Sequence, residues 1–157
     1  MKIHDRDGLV VADSHPEGTR VFDGMVIRGA DLMGKELEGI SFDGAHLTDC
    51  CFNGADLYGA NFSDSVCEGC DFSNADMRGC YLFRARFLSC NFRAARLCRD
   101  EAHGGTNLAE VDFTGSRLRG ADFCGGTYDA RTVFPEGFVP EENGLTRAPE
   151  AEAETQV

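Results

Sequence analysis

From Phe22 to Leu97 a large apolar residue recurs at every fifth position without a slip. The centres are Phe22, Ile27, Leu32, Leu37, Phe42, Leu47, Phe52, Leu57, Phe62, Cys67, Phe72, Met77, Leu82, Phe87, Phe92 and Leu97. Two residues before each centre the side chain is usually small. After an interruption the pattern resumes, one residue out of frame, at Leu108, Phe113, Leu118, Phe123 and Tyr128. Neither a strand alternating at two nor a helix turning at 3.6 keeps every fifth residue on one side over this length. A composite unit does. The small residue and the large one two places later point inward, the polar residue between them points out, and the last two residues turn the chain. Residues 30–34 (Ala-Asp-Leu-Met-Gly) and 55–59 (Ala-Asp-Leu-Tyr-Gly) show the unit at its cleanest, with Gly at the corner. Five residues cannot bury their own apolar face, so successive units are predicted to stack.

These units, together with Ala-Asn-Phe-Ser-Asp, Cys-Asp-Phe-Ser-Asn and Ala-Asp-Phe-Cys-Gly, resemble the pentapeptide repeat family over about residues 20–130. The resemblance implies an all-β fold, a right-handed quadrilateral parallel β-helix with four repeats to each coil. Twenty-one repeats then predict about five coils. The residues themselves favour an even number of sides: Phe occupies 42, 52, 62 and 72, whereas Leu, Leu, Cys and Met occupy 47, 57, 67 and 77. Opposite walls should therefore be Phe-rich and the other two slimmer, filling a narrow interior. Around the solenoid, predicted for 21–130, residues 1–20 read as an N-terminal cap. Residues 99–107 read as a loop leaving the wall, and 131–140 as a C-terminal cap or dimer segment. Residues 141–157, with only Leu145 and Val157 as large apolar residues, read as a disordered acidic tail.

Absence of Trp, 19 Gly and a length of 157 residues argue against a helical globule and for one domain. The stretch Met1–Asp7 is charged, and no apolar run approaches a membrane span, so a soluble cytoplasmic protein without membrane contact is expected. Of 8 cysteines, Cys50, Cys70, Cys80 and Cys90 take the small inward position and Cys67 a centre, where a free thiol serves as a small hydrophobe. Cys51, Cys98 and Cys124 fall on outward positions as the candidate reactive thiols, Cys98 near Arg96 and Arg99. His4, His15, His46 and His103 share no ligand spacing, and Ser14 beside His15 is adjacency without a triad. The expectation is a protein with no metal, no cofactor and no enzyme activity.

Net charge is −12, distributed unevenly. Residues 77–99 hold six arginines (Arg78, Arg84, Arg86, Arg93, Arg96, Arg99) and no acid, between two acidic stretches. Acids lie mainly on outward positions: Asp31, Glu36, Glu38, Asp56, Asp71 and Asp76 form the first candidate partner-binding set. Glu36, Asp56 and Asp76, spaced by twenty, should make a ladder down one wall. Within the family, the quinolone-resistance (Qnr-type) proteins are acidic dimers that occupy the DNA-binding surface of DNA gyrase. The resemblance thus implies a DNA mimic directed at a type II topoisomerase. Five coils span about 25 Å, or about seven base pairs, so such a mimic needs an end-to-end homodimer. The arginine belt has the wrong sign for that role. Its coil offers a second candidate set, Tyr81, Phe83, Arg84, Arg86 and Leu88, where other coils carry small polar residues. Aromatics beside arginines are the composition of a protein-binding hot spot, although these side chains could instead lie covered by a terminal segment or by the 99–107 loop. Direct nucleic-acid binding is disfavoured by the flanking acids.

Overall fold

The computed structural model describes residues 1–13 and 20–150, and within them the chain winds into a four-sided parallel β-helix with a twenty-residue coil. Four short strands, β3 (Val26–Arg28), β4 (His46–Thr48), β5 (Val66–Glu68) and β6 (Arg86–Leu88), pair in register in the order β3-β4-β5-β6 and make one wall. The other walls are held by single bridges such as Val21↔Ser41, Asp31↔Cys51 and Glu36↔Asp56.

Following the bridges from coil to coil assigns each centre up to Phe123 to a wall; Tyr128, which follows on wall 1, is only half-buried. Wall 1 carries Phe22, Phe42, Phe62, Leu82 and Leu108; wall 2 carries Ile27, Leu47, Cys67, Phe87 and Phe113. Wall 3 carries Leu32, Phe52, Phe72, Phe92 and Leu118; wall 4 carries Leu37, Leu57, Met77, Leu97 and Phe123. All are buried. In the first coils the Phe stacks lie on opposite walls, as the alternation predicted. Phe42 and Phe62 stack at 5.3 Å, Phe52 and Phe72 at 4.8 Å, and the two stacks meet edge to face, as in Phe42–Phe52 at 5.8 Å. Each fully buried Phe contributes roughly 1.5–3 kcal/mol of apolar transfer. The alternation breaks in the coil starting at Tyr81, where wall 1 holds Leu82 and wall 2 holds Phe87. Phe87 reaches Phe62 at 6.3 Å and Phe72 at 5.5 Å, then stacks on Phe113 at 5.6 Å. The aromatic column thereby moves over one wall while the interior stays filled.

Each corner turns through a residue in the left-handed region. Gly59 has φ 65°, a conformation without penalty only for Gly. Arg84, Ser89 and Ala94 occupy three successive corners of one coil at φ 58°, 54° and 57°. There the Cβ costs roughly 1–2 kcal/mol per residue.

Residues past Leu97 leave the wall. Asp100 pairs antiparallel with Gly104, and the coil resumes with Arg86↔Asp112, Asn91↔Arg117 and Arg96↔Asp122, offsets of twenty-six instead of twenty. The one-residue slip seen in the sequence is therefore one whole repeat plus one residue looped out. Every later centre returns to the wall it would otherwise have left.

At the N-terminus β1 (Lys2–His4) pairs antiparallel with β2 (Val10–Asp13), places Ile3 in the core, and joins the first coil through Asp5↔Ala30. Ser14, His15 and the remainder of 14–19 lie outside the described residues. At the other end Phe134 stacks on Phe113 at 6.1 Å and Phe138 meets Phe123 at 5.8 Å. The segment from 141 departs from the disorder predicted for it. A 3-10 turn (Glu141–Asn143) leads to Leu145, which is 3% exposed, and β8 (Thr146–Arg147) pairs parallel with β7 (Thr127–Tyr128). One Leu suffices because Gly126 leaves room beneath it: a Cβ there would meet the Leu145 methyl at 2.9 Å. Residues 151–157 lie outside the described part.

Candidate interaction surfaces

The outward Asp or Asn that precedes a centre has a local task before any functional one. Its side-chain oxygen accepts the backbone N–H two residues on, at Asp31–Met33 (3.3 Å), Asp56–Tyr58 (3.0 Å), Asn61–Ser63 (3.0 Å), Asp71–Ser73 (3.0 Å) and Asn91–Arg93 (3.1 Å). This is the Asx turn, which fastens each corner to the wall before it. Much of the acidity on the outward positions follows from this geometry, and Asn serves equally well. Glu36, too long for it, does not take part.

Of the first candidate set, Glu36, Asp56 and Asp76 are bridged consecutively on wall 4. Asp31 and Asp71 lie on wall 3 with Cys51 between them, and Glu38 sits at the far end of the Glu36 wall segment. The ladder is shorter than its spacing suggested, because Arg96 takes the next rung after Asp76. Arg78 grips Asp76 through Nη2 at 2.6 Å and Nε at 2.8 Å, and Arg96 approaches to 3.3 Å. Burial pushes the Asp76 carboxyl up, but the hydrogen bonds and charge of Arg78, with Arg96 behind, hold it below the usual range. Among the described residues Glu36, Glu38 and Asp56 have no ion-pair partner, so the uncompensated part of the ladder spans two coils.

The looped-out residues cover the lower part of the same wall. The His103 ring meets Tyr58 edge to face at 5.1 Å, its Nδ1 lies 3.0 Å from the Tyr58 hydroxyl, and it sits over Gly79, where a Cβ would come within 2.9 Å. Asp100 accepts the N–H groups of His103 (2.6 Å) and Ala102 (2.9 Å), and the His103 N–H first of all holds its carboxyl below the ordinary value. The loop therefore folds back on wall 4 and leaves the Tyr81 coil open.

That coil carries the second candidate set. Tyr81 is 59% and Phe83 45% exposed, side by side on wall 1, so neither the 99–107 loop nor the described parts of the terminal segments cover them. Arg84 lies 6.0 Å from the Phe83 ring centroid and 3.4 Å from Asp64 on the preceding coil, with Glu110 at 3.9 Å on the next. Around the corner on wall 2, Arg86 is 3.7 Å from Asp112, and Leu88 is half-buried. The belt is thus an aromatic patch rimmed by arginines whose charge is locally matched.

The thiols divide differently from their frame positions. Cys50, Cys67, Cys70, Cys80 and Cys90 are buried; Cys50, Cys70, Cys80 and Cys90 donate to backbone carbonyls, as Cys80 does to Leu57 at 3.1 Å. Cys51, expected to be accessible, is 6% exposed, a short side chain between its bridged neighbours Asp31 and Asp71. Cys98, half-buried, gains no thiolate character from its arginines, because burial and then Asp122 push its thiol up. Cys124 is exposed. Among the described residues no group of three or more His, Cys, Asp or Glu is placed to hold a metal ion, and no helix is long and apolar enough to cross a membrane.

A model of the pentapeptide repeats family matches in 8 copies over residues 27–64, 60–97 and 104–126, more than half of the chain. The protein belongs to the pentapeptide repeat family, and its four-sided coil is the right-handed β-helix of that family. Among solved structures it is similar to HetL, a pentapeptide repeat protein involved in heterocyst differentiation regulation in the cyanobacterium Nostoc sp. strain PCC 7120. Identity is 25%, the TM-score 0.66, and the match covers 81% of this chain and 56% of HetL. The chain thus spans little more than half of HetL's length. QnrB1, a plasmid-mediated fluoroquinolone resistance protein, is 20% identical with a TM-score of 0.40, over 73% of this chain and 68% of that one. No curated protein gives a significant sequence match.

Proposed function

We propose that this chain is a non-enzymatic protein-binding module that docks a partner protein through Tyr81, Phe83, Arg84, Arg86 and Leu88. The observation that carries the reading is the exposure of two neighbouring aromatics, at 59% and 45%, on a coil whose three successive corners are non-Gly residues in left-handed geometry. A coil that spends stability on its surface residues without local return is where function is expected. Tyr and Arg are enriched among the residues that dominate binding energy, and pairing Arg84 and Arg86 with acids of adjacent coils fixes their side chains before a partner arrives. A regulatory binding role of this kind fits the similarity to HetL, a protein of differentiation regulation. Partner capture should be lost in Phe83→Ala and Arg86→Ala while their circular-dichroism melts stay within a few degrees of wild type. Capture unchanged in both variants would remove the belt from consideration.

The second reading is the topoisomerase-directed DNA mimic, favoured by the stacked carboxylates of Glu36, Asp56 and Asp76, with Glu38, Asp31 and Asp71 extending the acidic surface. Two uncompensated coils make a short mimic, so this role requires the end-to-end homodimer, for which Val133 and Val139, both more than 40% exposed, offer apolar contact at the C-terminal end. Because Asn keeps the Asx turn, the Glu36→Gln, Asp56→Asn, Asp76→Asn triple variant removes charge with little loss of fold. Salt-sensitive inhibition of gyrase supercoiling that disappears in this variant supports the mimic; no inhibition at micromolar protein excludes it.

A further inference from the structure

Opposite the belt, wall 3 of the last coils carries three arginines in a cleft. Asn91 is bridged to Arg117, so Arg93 and Arg119, each two residues on, stand on adjacent coils across the same turn. All three guanidinium groups are exposed, and among the described residues none is in a hydrogen bond or ion pair. Arg78, Arg84, Arg86, Arg96, Arg131 and Arg147 each have a carboxylate within 4.0 Å; among the described residues Arg28 and Arg99 do not, so what sets this cleft apart is three such arginines gathered in one place. In a chain of net charge −12, three adjacent unmatched arginines repel one another without local relief. The far side of the cleft is the C-terminal segment, with Phe138 and the 43%-exposed Val139, and the open cleft has a volume of about 1070 Å³.

We infer that this cleft is a second binding site, which takes an extended acidic segment of a partner protein in which acidic and apolar residues alternate. Arg117 is bridged on the wall and Arg119, two residues on, opens the corner turn, so their long exposed side chains can reach successive same-side positions of an extended peptide, which repeat every two strand residues, about 6.6 Å. Alternate carboxylates of such a peptide meet Arg117 and Arg119, and Arg93 lies one coil away, about 4.8 Å, able to share either. The side chains between them point the other way, towards Phe138 and Val139. Glu136 and Glu142 on that far side disfavour a second row of negative charge, which argues for a peptide charged on one edge over a nucleic-acid backbone.

The probe is a fluorescein-labelled peptide of alternating Glu and Val, followed by anisotropy at low and high salt. Saturable binding is expected, weaker by about tenfold or more in Arg117→Gln and in Arg119→Gln, since each loses a charge-assisted hydrogen bond. Arg28→Gln, on wall 2, should bind like wild type. Arg119→Lys, which keeps the charge and loses the fork, should fall between and keeps the test valid if a Gln variant misfolds. Absence of saturation overturns the inference, as do equal affinities in the Gln variants. Pyrophosphate or single-stranded oligothymidylate binding as tightly as the peptide overturns it in favour of a phosphate ligand. Truncation after Glu150 that tightens peptide binding about tenfold overturns it in favour of the chain's own terminus as occupant.

Discussion

The coil from Ser41 to Ala60 and the coil from Tyr81 to Asp100 have the same backbone path and the same inward pattern, yet they treat their surfaces in opposite ways. The first turns at Gly44, Gly54 and Gly59, with Asp49 at the remaining corner, and carries mostly short polar residues outside, its one outward aromatic, Tyr58, being met by His103 of the loop. The second turns at Arg84, Ser89 and Ala94, exposes Tyr81 and Phe83, and hands its chain to a six-residue excursion. Stacking tolerates both because the ladder bonds are made by backbone: Phe42 N–H to Asn61 carbonyl at 2.8 Å in one, Phe87 N–H to Asp112 carbonyl at 2.7 Å in the other. Regularity inside therefore leaves the outer surface free to vary, and the coil that departs most from the economical solution is the one proposed to bind.

The comparison is tested most severely in the core. Phe87→Ala should destabilise by about 3–5 kcal/mol, because Phe87 joins the column above it to that below, whereas Leu47→Ala on the same wall should cost about 2–3 kcal/mol. Chemical denaturation of both variants checks this, and equal losses would mean that the shift of the aromatic column has no energetic weight. Next in size, Gly105→Ala places a Cβ 1.7 Å from the Gly125 carbonyl oxygen. It should cost about 1–3 kcal/mol by displacing the excursion that sets the twenty-six-residue offset. An unchanged melting temperature would show that the loop is not fixed to the coil below.

Smaller, and more pointed, is the exchange of corners. Arg84→Gly should stabilise the fold by about 1 kcal/mol and weaken partner capture, while Gly59→Ala in the regular coil should destabilise by about the same amount. A gain in stability with capture intact would detach the strained corners from function. The smallest expected effect is the pH dependence at Asp76. Its folded carboxyl titrates below its ordinary value, so its contribution is present above about pH 4 and is lost as pH falls through the lowered folded value. Asp76→Asn should cost less than about 1 kcal/mol at neutral pH and flatten the acid limb of a melting-temperature profile below pH 4. An unaltered limb would show that the Arg78–Asp76–Arg96 cluster carries no net stability.

Much of the solenoid was legible because each inward residue reports its own burial. Phe42, Phe52, Phe62 and Phe72 announced opposite aromatic walls, and Ala45, Ala55, Cys70 and Cys90 the small positions that let them fit. The candidate surfaces were legible in part. Exposure of Tyr81 and Phe83 could not be separated from coverage by the following loop until the loop was seen to lie on Tyr58 and Gly79. The acidic ladder was placed correctly on one wall, but its termination by Arg96 and its neutralisation by Arg78 depend on side-chain reach, which spacing does not encode. Leu145 was misjudged because a lone apolar residue in an acidic stretch shows no periodicity; only the gap above Gly126 gives it a place.

By itself the sequence determined that the chain coils: five-residue units with inward small and large residues must stack to bury that many Phe and Leu side chains, while four repeats to each coil was implied by the family resemblance and is seen in the twenty-residue offset of the bridges. Tertiary structure alone decided which surfaces face one another. The excursion at 99–107 shifts the pairing from twenty to twenty-six residues, so Arg86 meets Asp112, Arg96 precedes Asp122, and Arg93, Arg117 and Arg119 gather on one wall without carboxylate partners. Those neighbours are set by how far the chain travels outside the helix before it returns. That distance is written in the folded path of the loop and not in any local pattern of residues.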